Sequence, residues 1–232
     1  MESTSENPEG MDDPSPIDGP FFDRAEEIDA HKNHLPHWQQ GDVWVFVTWR
    51  LNDSLPKWKV DRWKEERDIW LKFNPRPWDA RMEIEYHSRF SSLMEKWLDQ
   101  GGGSCALKDP RASAIVAATL QHFDGRRYEL ASFAVMPNHV HALFRPFEEV
   151  ALANILKSWK GFSAKTINKQ LGRTGQLWQP DYWDRLIRSS RHFEGCLKYI
   201  RKNPEKAQLH TGQFVLFENP KWRRNGTVGE EP

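Results

Sequence analysis

The chain has 232 residues, of which 38% are hydrophobic and 28% charged, and its 33 basic and 33 acidic side chains leave no net charge. That length allows one well-packed domain with extensions, and the absence of any uninterrupted apolar run of about 18 residues predicts no membrane span. No leading apolar segment is present, so no signal peptide is expected, and two cysteines, Cys105 and Cys196, fit a reducing, cytoplasmic setting without a disulfide framework.

Zero net charge averages two unlike ends. Residues 1–30 hold ten acids against Arg24 alone, whereas residues 151–232 hold fifteen Lys or Arg against seven acids. The basic end suits a phosphate-rich partner, because neutralised phosphates release condensed counterions. Residues 1–33, acidic and rich in Pro, Ser and Gly, read as a disordered or loosely draped tail. His31, His34 and His37 stand three apart at its edge but have no Cys or carboxylate support as a metal cluster.

The folded region, expected over residues 34–210, opens with a strand at 42–51 that is dense in β-branched and aromatic residues and ends on a turn signal, Asn52-Asp53-Ser54. A helix follows Pro56 to about residue 72. Residues 80–99 space Ile84, Tyr86, Phe90, Leu93, Met94 and Trp97 at helical intervals, and three glycines at 101–103 stop that helix. A further helix follows Pro110 and closes at Asp124-Gly125. Tyr128 to Val135 and His139 to Phe144 read as a hairpin around Met136-Pro137-Asn138. Residues 149–170 form an amphipathic helix weakened by Gly161, residues 177–188 are partly extended, and Ser189 or Ser190 caps a last helix to about Lys202 that Pro204 ends. Residues 211–232 are a carboxy-terminal extension. The order β, α, α, β–β, α, β, α describes an α+β domain, an antiparallel sheet flanked by helices.

Residues two apart on a strand share a face, so His139 and His141 project together. Two imidazoles side by side offer nitrogen lone pairs to one divalent ion, although His-x-His on a strand is a weak motif alone. Tyr199 and Asn203, four apart, share a face of the last helix. Asn203 supplies an amide oxygen suited to Mg²⁺ or Mn²⁺, and Tyr199 supplies a phenol. Of the four tyrosines, Tyr182 is the rival nucleophile. Most of the twelve tryptophans are expected in the core.

The segments His139-Val-His141, Leu177-Trp-Gln-Pro-Asp-Tyr-Trp-Asp-Arg-Leu-Ile-Arg188 and Tyr199-Ile-Arg-Lys-Asn-Pro-Glu-Lys-Ala207, with Phe46 to Pro56 and Trp159-Lys160, resemble the REP-associated tyrosine transposases. These are relatives of the IS200-like, single-tyrosine HUH endonucleases. The likeness spans roughly residues 37–210. It departs at Ser189-Ser190, where acidic residues often stand, and at Gln208, where Gly is common. The resemblance implies a ferredoxin-like HUH nuclease core, a metal held by His139, His141 and Asn203, and Tyr199 as the nucleophile that forms a 5′-phosphotyrosine. It further implies a single-stranded or hairpin DNA substrate of REP type, no nucleotide cofactor, and a monomer or homodimer. Lys157, Lys160, Lys165, Arg185, Arg188, Arg201 and Lys202 are expected on DNA phosphates. Trp178 and Trp183 are candidates for base stacking, with sheet packing as the alternative role. Two rival functions are a DNA-binding protein that no longer cuts and a metal-dependent hydrolase acting through activated water.

Overall fold

The computed structural model describes residues 20–23, 29–32, 36–75 and 78–222. A short antiparallel pair, β1 (Asp29–Lys32) and β2 (Pro36–Gln39), precedes the main sheet. Strand β3 (Val45–Arg50) leads into α1 (Lys57–Phe73), α2 (Ala80–Tyr86), α3 (Ser92–Asp99) and α4 (Pro110–Gln121). The hairpin β4 (Tyr128–Val135) and β5 (His139–Pro146) follows, then α5 (Leu152–Gln170), β6 (Trp183–Leu186), α6 (Ser190–Lys206) and β7 (Val215–Glu218). The main sheet runs β6-β3-β5-β4-β7 and every pairing in it is antiparallel. Leaving out the added edge strand β7, this is the split βαβ arrangement of a ferredoxin-like α+β fold.

Strand alternation divides the core. Val45, Val47, Trp49, Val140, Ala142 and Phe144 point to one face and pack under α4 and α5. Trp44, Phe46 and Leu143 point to the other face and meet Phe193, Leu197 and Ile200 of α6. The crossover from β3 to β4 is much longer than a single helix. Its segment from α1 to α3 has an apolar cluster of its own, including Trp63, Trp70, Trp78, Phe90 and Met94. This helical lobe lies on the α6 side: its Trp63 meets Trp183 of β6 edge-on at 6.2 Å.

Local chemistry accounts for the helix ends. Asp109 caps α4 by accepting from the Arg111 amide at 2.9 Å, and Pro110 fills the first turn, where its missing N–H is no loss. Ser189 caps α6 through the His192 amide. The glycines after α3 serve a close approach. A Cβ on Gly103, which has φ +84°, would stand 2.4 Å from the Asp53 carbonyl oxygen.

Several expectations need correction. The helix over 80–99 is interrupted by a π-helical turn, His87–Ser91. Pro204 does not end α6 but sits inside its final turn, after which Ala207 donates back to the Asn203 carbonyl. Pro204 forfeits one ladder bond, the one its missing N–H would make to the Ile200 carbonyl. Within the expected tail, residues 20–23 run beside the sheet: the Phe22 amide donates to Ile187 at 2.8 Å, and Phe21 and Phe22 pack against the two sheet cores. Two consecutive aromatics supply apolar anchorage that the acidic composition around them conceals. Residues 1–19 and His34 lie outside the described residues. The carboxy-terminal extension carries a strand, Val215–Glu218, that extends the sheet beyond β4. Among the described residues no helix is long and apolar enough to cross a membrane, and Cys105 and Cys196 are both free.

Candidate active site

The register of the sheet builds the site. His141 stands directly opposite Thr48 of β3, and His139 opposite Arg50. Directly opposed residues share a face, so the Thr48 hydroxyl meets His141 Nδ1 at 2.7 Å. Asn138, in the turn before β5, is fully buried. Its amide nitrogen donates to the Leu98 and Gly102 carbonyls at 3.2 and 3.0 Å, which turns its oxygen to His139 Nδ1 at 2.7 Å. His139 Nδ1 therefore carries the hydrogen, and its Nε2 presents a lone pair. The two Nε2 atoms come within 3.0 Å of each other.

Both imidazoles are neutral. Burial pushes His139 down to about 3, and burial, then His139 and Lys206, holds His141 well below the usual imidazole range. Phe46 stacks on His141 at 5.6 Å, and the Tyr199 ring meets His141 edge-on at 5.3 Å. The expected pair on the strand and the expected tyrosine on the last helix are thus side by side. Lys206 Nζ lies over the Tyr199 ring, 4.9 Å from its centroid.

The lobe contributes two carboxyls from α3, one helical turn apart. Asp99 approaches His139 Nε2 at 3.9 Å, and Glu95 borders the Tyr199 phenol. Burial and Glu95 together push Asp99 up to about 6, and Glu95 is also raised by burial. Burial, then the charges of Glu95 and Asp99, hold the phenol far above its ordinary range, so Tyr199 is protonated here.

Four buried polar atoms on α3 and α6 have no well-formed hydrogen bond: Asp99 Oδ1, the Tyr199 hydroxyl and, one helical turn past Tyr199, both amide atoms of Asn203. Asn203 is wholly inaccessible. Orphaned buried groups are costly and concentrate where a ligand completes them. Among the described residues no three His, Cys, Asp or Glu side chains form a metal group. The donor set nevertheless fits a divalent ion once an amide is admitted. Adjacent ligands of an octahedral ion bound at about 2.1 Å stand about 3 Å apart, which matches the two Nε2 atoms, and the Asn203 amide oxygen needs a partner.

The remaining predicted residues divide. Arg185 reaches the region and comes within 3.3 Å of His87 Nδ1. Trp183 is half-buried at the sheet edge. Arg188 is exposed, with its guanidinium over the Phe22 ring, and Lys202 is exposed on α6. Trp178 is a correction: it lies in the core against Trp49, with its indole N–H on Ser163 at 3.0 Å, so it has no face for a base. Lys160 is pinned to the Pro180 carbonyl at 2.6 Å, and burial pushes it down to about 8. Arg201 is paired with Glu218 of β7. Lys157 and Lys165 are exposed on α5, whose apolar side covers the sheet face opposite the His pair. Tyr182, the rival phenol, is 4% exposed and packs in the core cluster under α5, whereas it is Tyr199 whose ring meets His141.

Sequence reading missed Thr48, Glu95, Asp99, Asn138 and Lys206. Asn138 adjoins the His pair in sequence, but its local signal is that of a turn residue. Thr48 is legible only through the β3–β5 register, and the two carboxyls only through the docking of the lobe.

The family model for IS200-like transposases matches residues 107–203. No curated protein matches the chain. Among solved structures, a REP-associated tyrosine transposase bound to a REP hairpin aligns at 16% identity over 75% of this chain and 74% of its own, with a TM-score of 0.44. A structure from Deinococcus radiodurans R1 assigned to the transposases aligns at 16% identity over 69% of this chain and 90% of its own, with a TM-score of 0.29.

Proposed function

We propose that this chain, whose residues 107–203 carry the IS200-like transposase pattern, is a DNA strand transferase that cuts and rejoins single-stranded DNA through Tyr199, acting on hairpins of REP type. The observation that carries the reading is the meeting of Tyr199 with the His139–His141 pair, with the buried, unsatisfied amide of Asn203 one helical turn beyond Tyr199 on α6.

The Tyr199 oxygen attacks the scissile phosphorus in line with the leaving 3′ oxygen. A bond forms between the phenolic oxygen and phosphorus, the bond from phosphorus to the 3′ oxygen breaks, and the 5′ side stays on the protein. Glu95, bordering the phenol, accepts its proton. The departing 3′ oxygen takes up a proton from solvent. Attack by a 3′-hydroxyl on the phosphotyrosine reverses the sequence and joins strands, so no nucleotide cofactor enters. His139, His141 and Asn203 would hold a divalent ion, Mg²⁺ or Mn²⁺, and when bound that ion polarises the phosphate and favours the phenolate. Asn138 and Thr48 keep the imidazoles aimed. Lys206, over the Tyr199 ring, contributes positive charge beside the phosphate.

Labelled hairpins with single-stranded tails test the proposal. Covalent protein–DNA adducts are the expected product. Hydrolysed ends without adducts would instead favour a metal-dependent hydrolase, and retarded but intact DNA would favour a protein that only binds.

A further inference from the structure

Beside the site a cavity of about 110 Å³ lies between the helical lobe and the sheet edge. Trp63, Tyr86 and Trp183 supply aromatic walls, and Arg185, His87 and Glu95 supply polar groups. The register places it. Trp183, Thr48 and His141 form one row across β6, β3 and β5, so Trp183 is two strand spacings, about 10 Å, from His141. Phe46 and Glu95 line the cavity, and the same two side chains border Tyr199. The space therefore lies next to the nucleophile, with those two side chains between.

One further feature marks the cavity as built for an occupant. The only π-helical turn among the described residues, His87–Ser91, lies along it, and both of those end residues line it. Such turns disturb the helix ladder and recur at functional sites. The lobe that closes the cavity, α1 to α3, falls wholly outside the matched residues 107–203.

We infer that this cavity receives one unpaired nucleobase of the strand that Tyr199 attacks, stacked among Trp63, Tyr86 and Trp183 with its polar edge turned to Arg185 and Glu95. The inference rests on the strand-transfer reading for the kind of ligand. Every base has a π face that aromatic walls accept, whereas the guanidinium donates to a base edge and the carboxylate accepts from one. Holding that base fixes the neighbouring phosphate beside the phenol.

The test is an abasic scan. The probe is a DNA hairpin with a four-nucleotide tail of randomised sequence on each side; each tail position in turn is replaced by an abasic residue. Affinity and covalent adducts are both measured, with the native chain and with Ser91→Trp, which fills the cavity from the π turn. For the native chain one position should lose about tenfold in affinity when its base is removed, as expected for one lost stacking contact. Ser91→Trp, checked for native melting, should bind intact and abasic tails equally. A flat scan with the native chain overturns the inference without any variant, and so does a Ser91→Trp protein that keeps the native sensitivity. Adducts together with a flat scan would sink the pocket alone, a position-sensitive scan without adducts would sink the strand-transfer reading alone, and no binding at all would sink both.

Discussion

Replacing Asn138 by Ala probes how the His pair is aimed. The side chain is fully buried and makes three hydrogen bonds, to the Leu98 and Gly102 carbonyls and to His139 Nδ1. Each contributes about 1 kcal/mol net, and Ala removes all three, so Asn138→Ala should cost about 3 kcal/mol. In a chain of this size each 1 kcal/mol moves Tm by roughly 2–4 °C, which gives a fall of about 6–12 °C. His139 also loses the acceptor that fixes its tautomer, and loss of such a partner typically weakens metal binding about 10–100-fold. Calorimetric melting and a Mn²⁺ titration followed by electron paramagnetic resonance measure the two effects. Asn138→Asp separates them. It retains an oxygen for His139 but sets a carboxylate against two carbonyls, so it should melt as low as Ala while binding Mn²⁺ better than Ala does. A variant Asn138→Ala that melts within 2 °C (roughly 0.5–1 kcal/mol) of the native chain and binds Mn²⁺ equally well would refute the reasoning; packing alone would then orient His139.

Acid should destabilise the metal-free protein through the same two imidazoles. Burial lowers the His139 pKa to about 3 in the folded chain, against about 6.5 unfolded. The unfolded chain takes up protons first as pH falls, so the stability is fully present above about pH 7 and is lost progressively from about 6.5 down towards 3. Urea midpoints at pH 7 and pH 5 should show that fall, and His139→Gln with His141→Gln should flatten it. Phe193→Ala empties a fully buried site against Trp44 and Trp222 and should cost about 3–5 kcal/mol in urea unfolding, with adduct formation falling as α6 loosens. Gly103→Ala should cost more than the ~1–2 kcal/mol of left-handed strain, because its Cβ would clash with Asp53. Gly125→Ala, with open space around it, should cost that strain alone; equal unfolding midpoints for the two variants would contradict the clash.

The elements with strong local signals were legible in the sequence. The β3 run of aromatics and β-branched residues, the Met136-Pro137-Asn138 turn and the helical spacing around Trp159 all follow from periodicity, and they fold as that periodicity predicts. So did the shared face of His139 and His141, because strand alternation depends on nothing beyond the strand itself. What escaped depends on contacts distant in sequence. Asp99 and Glu95 look like surface acids of an amphipathic helix, and only the docking of the lobe brings them to His139 and Tyr199. Trp178 and Trp183 stand in one aromatic, basic stretch, yet the Leu51–Trp178 bridge draws one into the core while the other lines the cavity. Val215–Glu218 is too short to signal a strand and exists because β4 offers it an open edge.

Identification of the residue that carries the DNA tests the central claim most directly. Native chain is incubated with Mg²⁺ or Mn²⁺ and a hairpin with single-stranded tails, the adduct is digested, and the DNA-bearing peptide is sequenced by mass spectrometry. A 5′-phosphate ester on Tyr199, absent from Tyr199→Phe even though that variant still binds the hairpin, is the predicted result. An adduct on Tyr182, or one that persists in Tyr199→Phe, would contradict it.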